Sequence, residues 1–317
     1  MRSLLRSVLG LHRMLLIFSG ALTVLAVVCL VGLIVDDRTL LGAPVWLKPF
    51  KFAVSFCVYS LTLAWLLTLL SQASALAKRL GDLIACLSMV GVGLITFQAA
   101  RGRQSHFNVS TSEDAAIFGL MGVLVTALWL LTIAVTGLVL LQRVGDRPTT
   151  SALRLGLVLC VMGMAEAYLM VGSTSNAGGI SGAHSVGVPD GGPGLPLLGW
   201  STTGGDLRVA HFVGLHAMQA VPLLLVGLRA LSVRLPVLGD EGVRLGLVRV
   251  AGAGFGAMIV LLTWQALKGQ PLIYPDSTTV AAFTALVAVV ALTASAVIVA
   301  GARRVRTRPR PRLNALT

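Results

Sequence analysis

Residues 14–35 read MLLIFSGALTVLAVVCLVGLIV, 22 consecutive positions without a charge. Wound as a helix at about 1.5 Å per residue, such a run covers roughly 33 Å, the thickness of a bilayer's hydrocarbon core. Arg2, Arg6 and Arg13 precede it, which imitates a secretory leader. The stretch is too long for a leader's apolar region, and Cys29 follows Val28 rather than the small residue of a lipoprotein cleavage site. We therefore expect a retained first span.

Working outward, seven further apolar runs stand near 52–71, 81–100, 115–141, 153–172, 208–231, 245–267 and 279–301. The breaks between them carry charge or turn residues, as in Asp36-Asp37-Arg38, Arg101-Gly102-Arg103, Asp146-Arg147-Pro148 and Tyr274-Pro275-Asp276. Backbone polar groups in hydrocarbon must be bonded internally, so the expected fold is an all-α, polytopic bundle of about eight helices. It forms one membrane domain over residues 1–302, with a basic tail at 303–317.

Composition agrees. Hydrophobic residues are 56% of the 317 and charged residues 12%, about half the charge of a soluble chain. The net charge of +13 raises nucleic acid as a partner, but the basic residues occupy short gaps and the tail, and no soluble region exists to carry such a surface. Arg outnumbers Lys 21 to 4 in an Ala-, Gly-, Val- and Leu-rich chain, which points to a G+C-rich bacterial genome. The four cysteines, Cys29, Cys57, Cys86 and Cys160, all sit in apolar runs, with no Cys-x-x-Cys, so neither a disulfide framework nor a thiolate metal site is expected.

Counting Arg and Lys by alternate gaps gives 18 on the side of the N-terminus and seven on the other. Positive charge stays inside, so both ends are expected in the cytoplasm of a bacterial inner membrane. The tail from Arg303 to Arg312 then lies against anionic lipid. The one long connection, Ser173–Leu207, is external and holds ten glycines and three prolines. A connection of that length is either an unstructured insertion or a working lid.

The external charges are few but concentrated. Lys48 and Lys51 stand at the mouth of the second span, Arg101, Arg103 and His106 follow the third, and Arg208 opens the sixth. With Gln98, Gln219 and Gln265 they form an expected ligand-binding set, suited to a small anionic or lipid-like molecule. Beneath them lie Glu166, roughly 9 Å deep, His211 near 5 Å and His216 near 12 Å. An acid inside a span is costly unless it faces protein or water, so Glu166 is expected to meet His211, His216 or Arg101. Glu166, His211 and His216 are the candidates for catalysis or proton relay. On a continuous sixth helix, Gln219 falls about 80° and His216 about 140° from His211, one inward arc, with a kink expected at Pro222.

Plainer readings stand beside these. The lysines and arginines serve equally as interfacial anchors, and buried polar groups as interhelical bonds. His12 and His184 read as surface residues. No His-Glu-x-x-His, nucleophile elbow or phosphate loop occurs. No metal ligand is assigned; haem or metal stays open only as an alternative, since His211 and His216 point apart and a second helix would be needed. Transport or sensing of an anionic ligand comes first, a membrane enzyme acting on a lipid-linked substrate second, and an assembly subunit third.

Four segments carry a resemblance: Trp46-Leu47-Lys48-Pro49-Phe50-Lys51-Phe52, Gln98 to Asn108, Gly205 to His216, and Trp264 to Pro271. Together they resemble a group of bacterial multi-pass membrane proteins. The resemblance implies the fold and brings no activity with it.

Overall fold

A computed structural model describes residues 11–70, 74–172 and 179–307, the side chains of 74 and 305–307 excepted. Five of its helices begin where the sequence supplies a side-chain acceptor for a free N–H group. His12 precedes α1 (Arg13–Val35), Thr111 α4 (Ser112–Leu141), Asp146 α5 (Arg147–Ala165), Asp206 α7 (Leu207–Leu215) and Asp240 α9 (Glu241–Leu267), each accepting from a backbone N–H of the first turn. Between them lie α2 (Leu47–Thr68), α3 (Ser74–Ala100), α6 (Ala167–Gly172) and α8 (Ala217–Leu231), and α10 (Ser277–Thr307) comes last. A 3-10 turn at Pro236–Gly239 precedes α9. Two short antiparallel pairs, β1 (Thr39–Leu40) with β2 (Ala43–Pro44) and β3 (Ser185–Val186) with β4 (Gly205–Asp206), tie loops at one end of the bundle.

Among the described residues, seven segments are long and apolar enough to cross a membrane, one of them α5 with α6; α7 and α8 together supply an eighth, bent by 50°. The chain is thus an all-helical protein of the integral membrane class. Large apolar side chains such as Ile34, Leu141 and Leu292 remain exposed on it, as lipid-facing positions would.

Several boundaries differ from expectation. The second span starts at Leu47 rather than near 52, because Pro49 in the first turn has no N–H to leave unsatisfied. Lys48 and Lys51 are therefore helical. The third begins at Ser74 and carries Lys78 and Arg79 within it, and the last continues to Thr307, into the basic segment; residues 308–317 lie outside the described ones. The fifth and sixth spans are each interrupted, at Glu166 and at His216. Pro222, where a kink was expected, lies inside α8.

Those two interruptions lie beside one crossing. A Cβ on Gly163 would stand 2.5 Å from the Cα of Gly214, and one on Gly214 would overlap the Cα of Gly163. Two glycines let α5 and α7 touch backbone to backbone, the geometry small residues provide in membrane bundles. Around it α5 packs on α4, α7, α8 and α9, while α1, α2, α3 and α4 pack on one another. A shared core of Phe18, Leu63, Ile84, Val135, Leu157 and Met218 joins the two halves.

Candidate functional site

Helix α2 carries a polar stripe. Lys48, Lys51, Tyr59 and Thr62 fall within about 40° on either side of Ser55 at 100° per residue, and the five span about 21 Å. Each of the deeper members has a partner across the bundle. Ser55 Oγ lies 3.3 Å from His216 Nε2, Tyr59 Oη 3.1 Å from Thr132 Oγ1, and Gln219 Nε2 donates to Thr62 Oγ1 at 3.2 Å. Gln219 Oε1 is buried with no hydrogen-bond partner among the described residues. The stripe and α8 therefore form a polar seam descending from the loop end of the bundle.

At that end the seam opens into a cluster of cations and histidines. Lys51 Nζ donates to the Leu198 carbonyl at 3.0 Å. Arg208 donates through Nη2 to the Gly199 carbonyl at 2.6 Å, and grips Asp206 through Nε at 2.9 Å and Nη2 at 2.5 Å. Asp206 is almost wholly buried, and it also accepts the backbone N–H groups of Ser201 and Arg208. Lys48 makes no hydrogen bond or ion pair among the described residues, yet Arg208, Lys51 and Asp190 all act on it electrostatically.

Above Lys48 sit His106 and His184, ring centroids 6.5 Å apart, with Phe107 4.8 Å from His184 and Phe52 5.9 Å from His106. His184 Nδ1 donates to Asp190 at 2.8 Å, and that carboxylate also accepts the backbone N–H groups of His184 and Ser185. Burial raises the Asp190 carboxyl, but these bonds more than offset it and hold the group well below the usual carboxylate range. Burial pushes His184 down to about 4 against the pull of Asp190, with Lys48 and Arg208 adding to the fall. Burial, then Lys48, His184 and His211, hold His106 well below its ordinary value. Both rings are neutral at pH 7.

The loop that supplies these groups is built, not slack. Over 179–206 it is held by the β3–β4 pair, by bridges Asn108–Ile180 and Gly194–Ser201, and by Leu207 N donating to the His184 carbonyl at 3.0 Å. Residues 173–178 lie outside the described ones.

Other expected site residues go elsewhere. Arg101 pairs with Glu113 at 2.8 Å and Arg103 with Asp114 at 2.5 Å, while Gln98 bridges Arg101 and Asp114. The two arginines are thus neutralised where α3 meets α4. Gln265 donates to the Pro271 carbonyl at 2.9 Å and caps the turn after α9. His211 Nδ1 donates to the Gly163 carbonyl at 2.7 Å, which fixes its tautomer and leaves Nε2 as an acceptor.

Glu166 was expected to meet a histidine or Arg101. Among the described residues none of these bonds it: its carboxyl interacts with Thr263, and Oε2 is buried without a partner. The break at Glu166 places it toward α9, while His216, after the bend, turns to α2. A continuous-helix projection cannot anticipate either change. The residues that sequence reasoning passed over are His184, Asp190, Asp206, Ser55 and Thr62. The spacing 48, 51, 55, 59, 62 was a usable signal for the stripe; the pairing of Asp190 with His184 depends on the loop's fold. No group of three or more His, Cys, Asp or Glu able to hold a metal ion occurs among the described residues.

Comparison with protein-family models, with curated proteins and with solved structures returns no match. The class is defined by the helices alone: an all-helical protein of the integral membrane class, with seven or eight segments long and apolar enough to span among the described residues and a polar, cationic cluster at one end.

Proposed function

We propose that the chain is a multi-pass protein of a bacterial cytoplasmic membrane, both ends cytoplasmic, that binds a small anionic or lipid-like ligand from the outer side and transports it. The observation carrying this reading is the α2 stripe. Lys48 and Lys51 stand with Arg208 at its mouth, and hydroxyl, imidazole and amide groups continue below them into the bundle. Unbalanced cations attract an anion and orient it, and a polar seam under the binding point is what a carrier needs and a pure sensor does not. The 18 to seven division of basic residues supports the orientation.

Purified protein in lipid vesicles should accumulate radiolabelled small anions. Lys51→Gln should abolish most of the uptake, whereas Arg101→Gln, already paired with Glu113, should leave it largely intact. Equal loss in both variants would end the reading. A second reading, an enzyme acting on a lipid-linked substrate, is favoured by one observation, the unpartnered Oε2 of Glu166. Product formation from co-purified lipid, lost in Glu166→Gln, would replace transport with it.

A further inference from the structure

Two of the three cations at the mouth of the seam share a peculiarity: each donates to a main-chain carbonyl of the same turn. Lys51 takes Leu198 O and Arg208 takes Gly199 O, at 3.0 Å and 2.6 Å. Consecutive carbonyls from one external turn thus present two oxygens, one to an ammonium and one to a guanidinium. We propose that these two carbonyls stand in for the oxygens of a singly charged oxyanion, and that the ligand binds between Lys51 and Arg208 by displacing the turn. The inference rests on the anion reading above and adds to it the chemistry of the ligand and a competitor built into the chain.

Charge sets the valence. Lys51 and Arg208, the two cations that hold the turn, carry two positive charges, and Asp206, bonded to Arg208, carries one negative charge. One positive charge remains between them, which a carboxylate or a monovalent phosphate ester balances and a dianion overshoots. An oxygen pair also matches the planar fork of Arg208 as a spherical halide cannot.

The turn moves as a unit about Ser201, whose N–H stays on Asp206 at 2.7 Å. Residues 193–202 close on themselves through Leu195 N to Trp200 O at 2.8 Å, Gly199 N to Leu195 O at 2.8 Å and Thr202 N to Pro193 O at 3.0 Å. Release from the cations therefore breaks none of these bonds. Leu197 at its tip holds φ +63 and is 77% exposed, an unfavourable backbone state for a branched side chain with no packing in return. Trp200 lies against Phe212, centroids 6.0 Å apart, and Phe212 against His216 at 4.5 Å. Displacement of the turn is therefore felt at the first imidazole of the seam.

A nitroxide on Leu197→Cys, in a background without the four native cysteines, reports the turn directly. In vesicles, acetate and phosphate should bind and mobilise the label, while chloride should do neither. Lys51→Gln should mobilise it with no anion present. Replacing Leu195–Gly199 by Asn-Gly removes the competitor and should tighten acetate binding by about tenfold or more, the worth of one hydrogen bond to a charged group. Binding without mobilisation, or a Lys51→Gln label as immobile as the parent, would overturn the displacement while leaving the anion site in place. Absence of binding by either oxyanion, even with the turn replaced, would overturn the anion reading itself.

Discussion

Replacing Gly163 by Ala tests the crossing beside which both helix breaks lie. The added Cβ would stand 2.5 Å from Gly214 Cα and carbonyl carbon and 2.6 Å from Leu215 N. These are backbone atoms with no rotamer to escape into, so α5 and α7 must part by roughly 1 Å to reach ordinary contact. The hydrogen bond from His211 Nδ1 to Gly163 O, now 2.7 Å, then lengthens past useful range. Overpacking costs about 1–3 kcal/mol and the lost bond about 1 kcal/mol. The better helix propensity of Ala returns up to about 1 kcal/mol, so the net loss is about 1–3 kcal/mol. Gly122 on α4 is the control, because no heavy atom lies within 4 Å of its would-be Cβ. There Gly→Ala should be neutral or stabilising by up to about 1 kcal/mol. Reversible unfolding in mixed micelles, followed by circular dichroism, measures both. A Gly163→Ala protein as stable as Gly122→Ala would refute the close crossing.

Asp206→Ala removes four acceptor contacts, to Ser201 N, Arg208 N, Arg208 Nε and Arg208 Nη2; since the guanidinium stays 29% exposed, the expected cost is about 3 kcal/mol, the low end for a broken buried pair. A loss below about 1 kcal/mol in the same unfolding assay would show that the carboxylate is not the loop's anchor. His184 is held at about 4, below the 6.5 or so of an unfolded chain, so between those values the unfolded state binds a proton that the folded state does not. Stability should be complete above pH about 6.5 and fall as pH drops toward 4, by a total on the order of 3 kcal/mol; His106 shifts in the same direction. His184→Gln should remove much of that slope, and an unchanged slope would refute the assignment. Cysteines placed at Ile180 and Ser232, without the native four, should differ in labelling by a membrane-impermeant reagent on intact cells, the first reacting and the second not; equal labelling would refute the proposed orientation.

The apolar runs were legible because membrane insertion writes them as uninterrupted length, and every expected span overlaps an observed helical segment. Their ends were less so: Pro49 reads as a breaker in sequence, yet it is harmless in a first turn, which hid Lys48 and Lys51 inside α2. The breaks at Glu166 and His216 left no local signal beyond glycines three and two residues earlier, since it is the meeting of Gly163 with Gly214, 51 positions apart, that gives those glycines meaning. The same limit governs the site. Lys48, Lys51, His106, Arg208 and His211 were chosen for a shared face, and the structure gathers them; Arg101 and Arg103 were chosen on the same ground and are drawn off by Glu113 and Asp114, whose positions in the first turn of α4 sequence patterning does not relate to α3. His184 went unused because a histidine in a glycine-rich stretch has no period to place it.

The polar stripe of α2 also bears on how the chain enters the membrane. Carrying Lys48, Lys51, Ser55, Tyr59 and Thr62, α2 is the least apolar of the seven candidate spans other than the bent α7–α8 pair, and α1 just before it is the most apolar. A helix of that composition is a poor candidate to leave the translocon alone. It packs along its length on α1, with Trp46 seated over Gly32 and its indole N–H donating to Asp36 at 2.8 Å across the short β1–β2 turn. The pairing of the most apolar helix with the least apolar suits partition as a hairpin, the first supplying the hydrophobic drive that the polar stripe of the second lacks.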